Sequence, residues 1–181
     1  MDNKKFKRFQ IFSVIFNAIL GVLLHFTYEL SNNNLIVGAF SAVNESTWEH
    51  LKLLFIPMLI STIIGYFYIG KKTDKFLCAR TIGIIIAMLF TIIFFYTYTG
   101  ILGTNLSIVN IAIFFAAVII GEYASYWGIN SNLKCSKKIA ITFLTLLLFA
   151  FICFTYFPPK IGLFQNPLVG GCGIMQKDSQ G

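Results

Sequence analysis

The stretch from Leu77 to Tyr98, LCARTIGIIIAMLFTIIFFYTY, decides the fold class of this chain. A helix of this length is apolar on every side apart from Arg80, and about 20 helical residues suffice to cross the hydrocarbon core of a bilayer. A lipid-facing barrel strand would instead alternate polar and apolar residues over about 10-residue segments. Since a helix satisfies its own backbone hydrogen bonds, the stretch predicts a transmembrane α-helix.

The rest of the chain has the same character, with 57% hydrophobic and only 12% charged residues. A soluble domain carries about 25% charged residues, so this composition argues against a soluble or nucleic-acid-binding domain. We therefore predict an all-α bundle of five transmembrane helices, in which residues 1–157 form a single domain. The four other predicted spans are Phe9–Tyr28, Thr47–Ile69, Leu106–Trp127 and Ile139–Phe157.

The positive charges predict the orientation of the bundle. Ten of the fourteen Lys and Arg residues fall before the first span, between spans two and three, or between spans four and five, and an eleventh, Arg80, lies at the predicted inner end of span three. The loops 31–46 and 99–105 on the opposite side contain none. By the positive-inside rule the N-terminus is then cytoplasmic and the C-terminus external, in a multi-pass protein of the plasma membrane. The excess positive charge thus reflects topology and a lipid partner, with no nucleic acid involved.

The tail, residues 158–181, keeps several apolar residues among its glycines and prolines, which is unusual for a solvated segment. We expect this tail to fold back over the outer face of the bundle.

The four cysteines are placed so that a disulfide framework is not expected. Cys78 and Cys135 fall on the predicted cytoplasmic side, Cys153 lies within the fifth span, and Cys172 lies in the tail. Disulfides persist in oxidising compartments, and only one cysteine is predicted there in a loop or tail.

The ionisable residues at the outer ends of spans one and two predict a functional site. His25 and His50, the only histidines, lie at similar depth, and Glu29 and Glu45 lie near them. His25 and Glu29 have the i, i+4 spacing that lets two side chains reach one ion. Two imidazoles with a carboxylate suit zinc or a similar divalent metal, leaving a position for water. We predict catalytic roles for His25, Glu29, Glu45 and His50, with His25, Glu29 and His50 as metal ligands. A metal-free His–Glu network and a purely structural cluster are the alternatives.

The residues between Glu45 and His50 are predicted to serve structure. Ser46 and Glu49 match the S/T-x-x-E capping box of a helix start. Glu49 is also placed to pair with Lys52, and Trp48 suits the interfacial aromatic belt.

Two features of span four indicate helix packing. Ala117, Gly121 and Ser125 form a small-xxx-small series, which lets two helices approach closely. Glu122 lies beside it near the predicted inner end of the span, where Arg80 of span three is the expected partner.

The stretch Asn44-Glu45-Ser46-Thr47-Trp48-Glu49-His50, together with His25–Glu29 and the Pro158-Pro159 tail, resembles a family of small bacterial multi-pass membrane proteins. That family is characterised only as a domain of unknown function. Its pattern would place an aromatic residue where this chain has Cys172. The resemblance implies a membrane location and no particular activity.

Three functions remain open from the sequence. The first is a membrane-embedded hydrolase or transferase, with or without a metal, acting on a lipid-like or amphiphilic substrate. The second is a transporter or binding module for a small solute or cation. The third is a non-catalytic membrane partner subunit. The sequence contains no serine elbow, phosphate-binding loop or H-E-x-x-H motif, which weakens the first function.

Overall fold

The chain is predominantly helical, and the computed structural model describes residues 3–73, 75–132, 135–167 and 172–174. The described part contains helices and no strand, and five of its helices are long and apolar enough to cross a membrane. This confirms the prediction of an all-α bundle with five candidate spans. The elements are α1 (Asn3–Leu30), α2 (Leu35–Gly38), α3 (Thr47–Tyr68), α4 (Phe76–Leu102), α5 (Ser107–Asn130) and α6 (Lys137–Tyr156), with 3-10 turns at Gly70–Lys72 and Gly162–Phe164.

Helices α4 and α5 approach each other through small residues. A methyl group added at Gly83 of α4 would overlap the Ser125 hydroxyl and the Gly121 carbonyl oxygen of α5. Because lipid provides little hydrophobic drive between helices, close backbone contact supplies much of the packing energy. The predicted packing role of Gly121 and Ser125 is confirmed.

A buried ion pair joins the same two helices. Arg80 of α4 and Glu122 of α5 form a direct salt bridge, and their side chains are 0% and 1% exposed. Arg80 also donates hydrogen bonds to Ser61 Oγ at 2.8 Å and Thr62 Oγ1 at 3.0 Å, both on α3. The predicted pair is confirmed, and it lies within a larger polar network that links α4 and α5 to α3.

The prediction about the cysteines is wrong, because Cys78 and Cys135 are joined by a disulfide with 6.1 Å between their Cα atoms. Cys78 lies in the first turn of α4, and the segment between α5 and α6 brings Cys135 beside it. The Lys75 ammonium donates to the Ser131 carbonyl oxygen at 2.8 Å in the same region. These contacts hold the α5–α6 connection against the start of α4.

Aromatic residues link the tail to the opposite end of the bundle. Phe164 is buried, and its ring centroid lies 4.8 Å from that of Trp48 and 5.4 Å from that of Phe154. Trp48 is therefore a packed core residue, and the expectation that it lies in the interfacial belt is wrong. Residues 168–171 and 175–181 of the tail lie outside the described residues, so the fold of the whole tail stays a prediction.

Candidate functional site

Three of the four predicted site residues come together at one end of the bundle. His25 lies near the end of α1, Glu45 precedes α3, and His50 lies in the first turn of α3. His25 Nε2 is 3.8 Å from Glu45 Oε1, and His50 Nε2 is 3.4 Å from Glu45 Oε2. One potential ligand atom from each residue lies within 4.8 Å of the other two. The chain thus has a compact His–Glu–His group.

Local hydrogen bonds explain how Glu45 and His50 reach the same place. Asn44 Oδ1 accepts from the Ser46 amide at 2.8 Å, and Ser46 Oγ accepts from the Glu49 amide at 3.4 Å. These side-chain bonds end the preceding loop and begin α3, as helix N-caps do. Glu45 is held in the bend before the helix, and His50 follows one turn later.

A further contact determines which nitrogen of His50 faces the group. His50 Nδ1 lies 3.0 Å from the Ser46 carbonyl oxygen. A carbonyl oxygen can only accept a hydrogen bond, so Nδ1 carries the proton and donates it. Nε2, which faces Glu45, must then offer either a lone pair or a second proton. A metal-binding histidine is commonly oriented in this way, with its other nitrogen donating to a backbone carbonyl.

The His–Glu distances are longer than direct hydrogen bonds and can be compared with the spacing of ligands around a cation. Nitrogen-to-oxygen hydrogen bonds measure about 2.7–3.2 Å, and both of the His–Glu separations are longer. Ligand atoms about 2.0–2.1 Å from a tetrahedral zinc ion lie roughly 3.3–3.5 Å from one another. The separation between His50 Nε2 and Glu45 Oε2 matches this spacing, whereas His25 lies farther away, on the other carboxylate oxygen, and would have to move closer to share an ion.

Glu29 does not join the three other predicted residues. It is exposed and lies outside both the group and the cavity beside it. One helical turn advances 5.4 Å along the axis, which carries Glu29 beyond the level of His25. Glu45, supplied by the loop, occupies the position that the i, i+4 pattern had predicted for Glu29.

The group lies at the polar end of a cavity of about 580 Å³ between α1, α3, α4 and α5. Most of the lining is apolar, including Leu53 and Leu54 of α3 and Phe114 of α5. Ligand pockets typically combine such walls with a few polar groups that orient the ligand. The polar lining residues are His25, Glu45, Thr47, His50, Asn105, Ser107 and Asn110, with Thr91 on α4.

Residues 1–174 match a family of unknown function, DUF6512. The chain belongs to this family. Neither a curated protein nor a solved structure matches the chain. Family membership therefore assigns no activity to this DUF6512 protein, and its chemistry has to be inferred from the site.

The sequence did not indicate a second polar group on the cavity of the DUF6512 protein. Asn105 Oδ1 accepts from Tyr98 Oη at 3.0 Å and from Asn110 Nδ2 at 2.8 Å. Tyr98 Oη in turn accepts from the Leu106 amide at 3.3 Å. These residues surround the α4–α5 connection, a segment whose lack of Lys and Arg was used above only to predict the topology. The available indication of this polar group was the presence of three polar residues, Tyr98, Asn105 and Asn110, in or beside one short loop.

Glu49 belongs to a separate, structural ion pair. Its carboxylate lies 2.7 Å from Lys52 Nζ, and both side chains are almost fully buried. The carboxylate also accepts from the Val43 amide at 3.1 Å and from Thr155 Oγ1 at 3.0 Å. The predicted Glu49–Lys52 pair is confirmed. The capping box is only half formed, because Asn44 replaces Glu49 as the acceptor for the Ser46 amide.

Proposed function

We propose that this protein is a metal-dependent hydrolase or transferase acting on an amphiphilic substrate within the membrane. The observation that carries the proposal is the His–Glu–His group at the polar end of an apolar cavity. The reacting bond would lie beside the group, and the apolar part of the substrate would lie against the cavity walls.

His25, Glu45 and His50 are the residues that would hold the metal. Two histidines and a glutamate, with one position left for water, form an established catalytic zinc set. Zinc in such a set makes water nucleophilic near neutral pH. The Ser46 carbonyl orients His50 so that its Nε2 lone pair is available to the metal.

Glu45 is also placed to handle a proton. Its side chain is 43% exposed, and it presents one carboxylate oxygen to each histidine. One oxygen would bind the metal, and the other would accept a proton from the attacking water or alcohol. That proton would pass to the leaving oxygen or nitrogen as its bond to carbon or phosphorus breaks. Hydrolysis then adds the elements of water across the cleaved bond, and transfer adds an alcohol instead.

The metal part of the proposal is tested by elemental analysis. Detergent-purified protein is stripped with a chelator, dialysed against zinc and freed of loosely bound ion before measurement. We expect about one zinc ion per chain, and a loss of bound zinc in His25→Ala, His50→Ala and Glu45→Gln. Glu29→Gln is the matched control and should keep its zinc, because Glu29 lies outside the group. Wild-type protein with no retained zinc would refute the proposal.

The catalytic part is tested with a fluorogenic long-chain acyl ester presented in lipid nanodiscs. We expect zinc-dependent release of the fluorophore that chelation removes and that His50→Ala lacks. Protein that binds zinc stoichiometrically but turns over neither this ester nor a matching phosphodiester would be a binding module, and the enzymatic proposal would then be wrong.

A further inference from the structure

The cavity beside the His–Glu–His group has walls that are also part of the outer surface of the bundle. Val22 and Phe26 of α1 and Ile111 and Phe115 of α5 all line the cavity. The same four side chains are between 41% and 57% exposed. Both helices are candidate membrane spans, so the surface that these side chains share is the one that faces lipid. The cavity therefore opens sideways to the bilayer between α1 and α5.

The opposite end of the cavity is closed by close packing. A methyl group at Gly21 would overlap the Phe114 ring and the Leu53 carbonyl oxygen, so α1, α3 and α5 meet tightly there. Beyond that level the bundle contains the buried Arg80–Glu122 pair. A molecule in the cavity thus has exits toward lipid and toward the polar mouth, and none through the packed helices below Gly21.

The mouth carries hydrogen-bonding groups, and its basic side chains among the described residues are the imidazoles of His25 and His50. Among the described residues that line the cavity, none is Lys or Arg. Phosphate groups are usually bound by Arg or Lys, so a phosphorylated headgroup finds no such partner on the walls of the cavity. Asn105, Ser107 and Asn110 instead offer amide and hydroxyl groups, which pair with hydroxyls or other neutral polar groups.

We propose that an amphiphile with one apolar chain and an uncharged, hydroxyl-bearing headgroup enters from the bilayer between α1 and α5. Its headgroup would bind Asn105, Ser107 and Asn110, with the bond to be cleaved beside His25 and His50. A cavity of about 580 Å³ holds a drug-sized group. The headgroup and the first part of the chain would therefore lie inside, and the rest of the chain would extend through the opening into lipid. The identity of the reacting bond rests on the proposed function, whereas the route of entry does not.

The route is tested with a monoacylglycerol that carries a diazirine on its acyl chain. The probe is irradiated with the protein in nanodiscs, and the labelled residues are located by mass spectrometry. Leu53 and Leu54 line the cavity but are only 4% and 1% exposed, so label on them reports entry rather than surface contact. We expect labelling of this pair in wild-type protein, and a reduction of at least about fivefold in Val22→Trp and Phe115→Trp. The fivefold figure corresponds to about 1 kcal/mol of lost binding.

Matched controls separate a blocked opening from a general effect of tryptophan. Ile19→Trp and Ile119→Trp introduce the same side chain on the same helices at positions that are each 57% exposed but do not line the cavity. Both should label as wild type does. Phe115→Ala widens the opening and should raise labelling, which covers the case in which a Trp variant fails to fold. Lateral entry would be overturned if Leu53 and Leu54 were labelled to the same extent in all of the Val22 and Phe115 variants as in wild-type protein.

The headgroup is tested with a lysophosphatidate that carries the same diazirine chain. We expect this anionic probe to label Leu53 and Leu54 much less than the monoacylglycerol does, and Asn110→Leu to weaken monoacylglycerol labelling. Equal labelling by both probes would refute the uncharged headgroup.

Zinc content measured on the same samples keeps this inference distinct from the proposed function. Val22→Trp and Phe115→Trp should retain zinc, whereas His50→Ala should lose zinc and still be labelled. If wild-type protein lacks zinc but its labelling still falls in Val22→Trp and Phe115→Trp, the proposed function is refuted and the route of entry stands.

Discussion

The buried pair of Arg80 and Glu122 allows a quantitative test of how the bundle is stabilised. Glu122 accepts hydrogen bonds from Gln10 Nε2 at 2.8 Å and Asn17 Nδ2 at 2.7 Å, in addition to its salt bridge with Arg80. Glu122→Gln removes the negative charge while preserving the shape of the side chain. It leaves the Arg80 guanidinium, which is 0% exposed, without a counter-charge.

The expected cost follows from this stranded charge. Removing one partner of a buried pair typically destabilises a protein by about 3–5 kcal/mol. Since domains are stable by only about 5–15 kcal/mol, the variant loses a large part of its total stability. Arg80→Gln should cost at least as much, because it also removes the donors to Ser61 and Thr62 on α3.

The double variant distinguishes a direct pair from two independent effects. With both charges removed, neither is stranded, so the double variant should lose about as much stability as one single variant. The magnitude of the coupling energy is then about 3–5 kcal/mol, at or above the upper end of the range of roughly 0.5–3 kcal/mol for residues in contact. Unfolding is followed by tryptophan fluorescence during titration of mixed detergent micelles with a denaturing detergent. Glu29→Gln, which changes an exposed acid on α1, is the control and should leave the midpoint unchanged. Additive losses in the double variant would refute direct pairing.

Three further predictions follow from the fold. Glu49→Gln should lower the free energy of unfolding by about 3–5 kcal/mol, because it leaves the buried Lys52 without its counter-charge. Ser46→Ala removes only a helix cap and should cost roughly 0.5–2 kcal/mol. Equal losses of stability in the same unfolding assay would contradict this difference. Gly83→Ala should lower the unfolding midpoint by separating α4 from α5, whereas Gly100→Ala, which has open space around it on the same helix, should not; similar effects of the two changes would count against the close approach. A fluorescent protein that folds only in the cytoplasm should fluoresce when fused at Asn132 and stay dark when fused at the C-terminus, because the N-terminus is predicted to be cytoplasmic. The reverse pattern would show that the predicted orientation is wrong.

The spans were predictable because hydrophobicity is a local property of the sequence. The start of α3 at Thr47 agrees with the prediction, since a capping residue marks it. Other ends were less accurate: α1 begins at Asn3 and α4 extends to Leu102, because a helix continues beyond the apolar residues that identify it. The Cys78–Cys135 disulfide was missed because the positive charges place both cysteines on the predicted cytoplasmic side, where disulfides are not expected, although that placement already put them at the same end of the bundle.

Part of the site was also predictable from a local property of the sequence. Helical depth can be counted along a span, so the matched levels of His25 and His50 followed from the sequence. The choice between Glu29 and Glu45 depended on a loop conformation set by Asn44 and Ser46, which no periodicity describes. The cavity was not predictable either, because its walls come from four helices whose relative rotation depends on tertiary packing.

Glu45 and Glu49 lie one turn apart and differ in what neutralises their charge. Glu49 is buried against Lys52, so its charge is already balanced and a cation would gain little there. The ion-pair partners of Glu45 among the described residues are the two imidazoles, which carry positive charge only when protonated. Because His50 Nδ1 already donates to Ser46, a proton and a metal must compete for the same Nε2 lone pair. Ligands must be deprotonated to bind a metal, so zinc should be lost from this group on acidification. Zinc that the His25→Ala and His50→Ala variants retain would instead be held elsewhere on the chain.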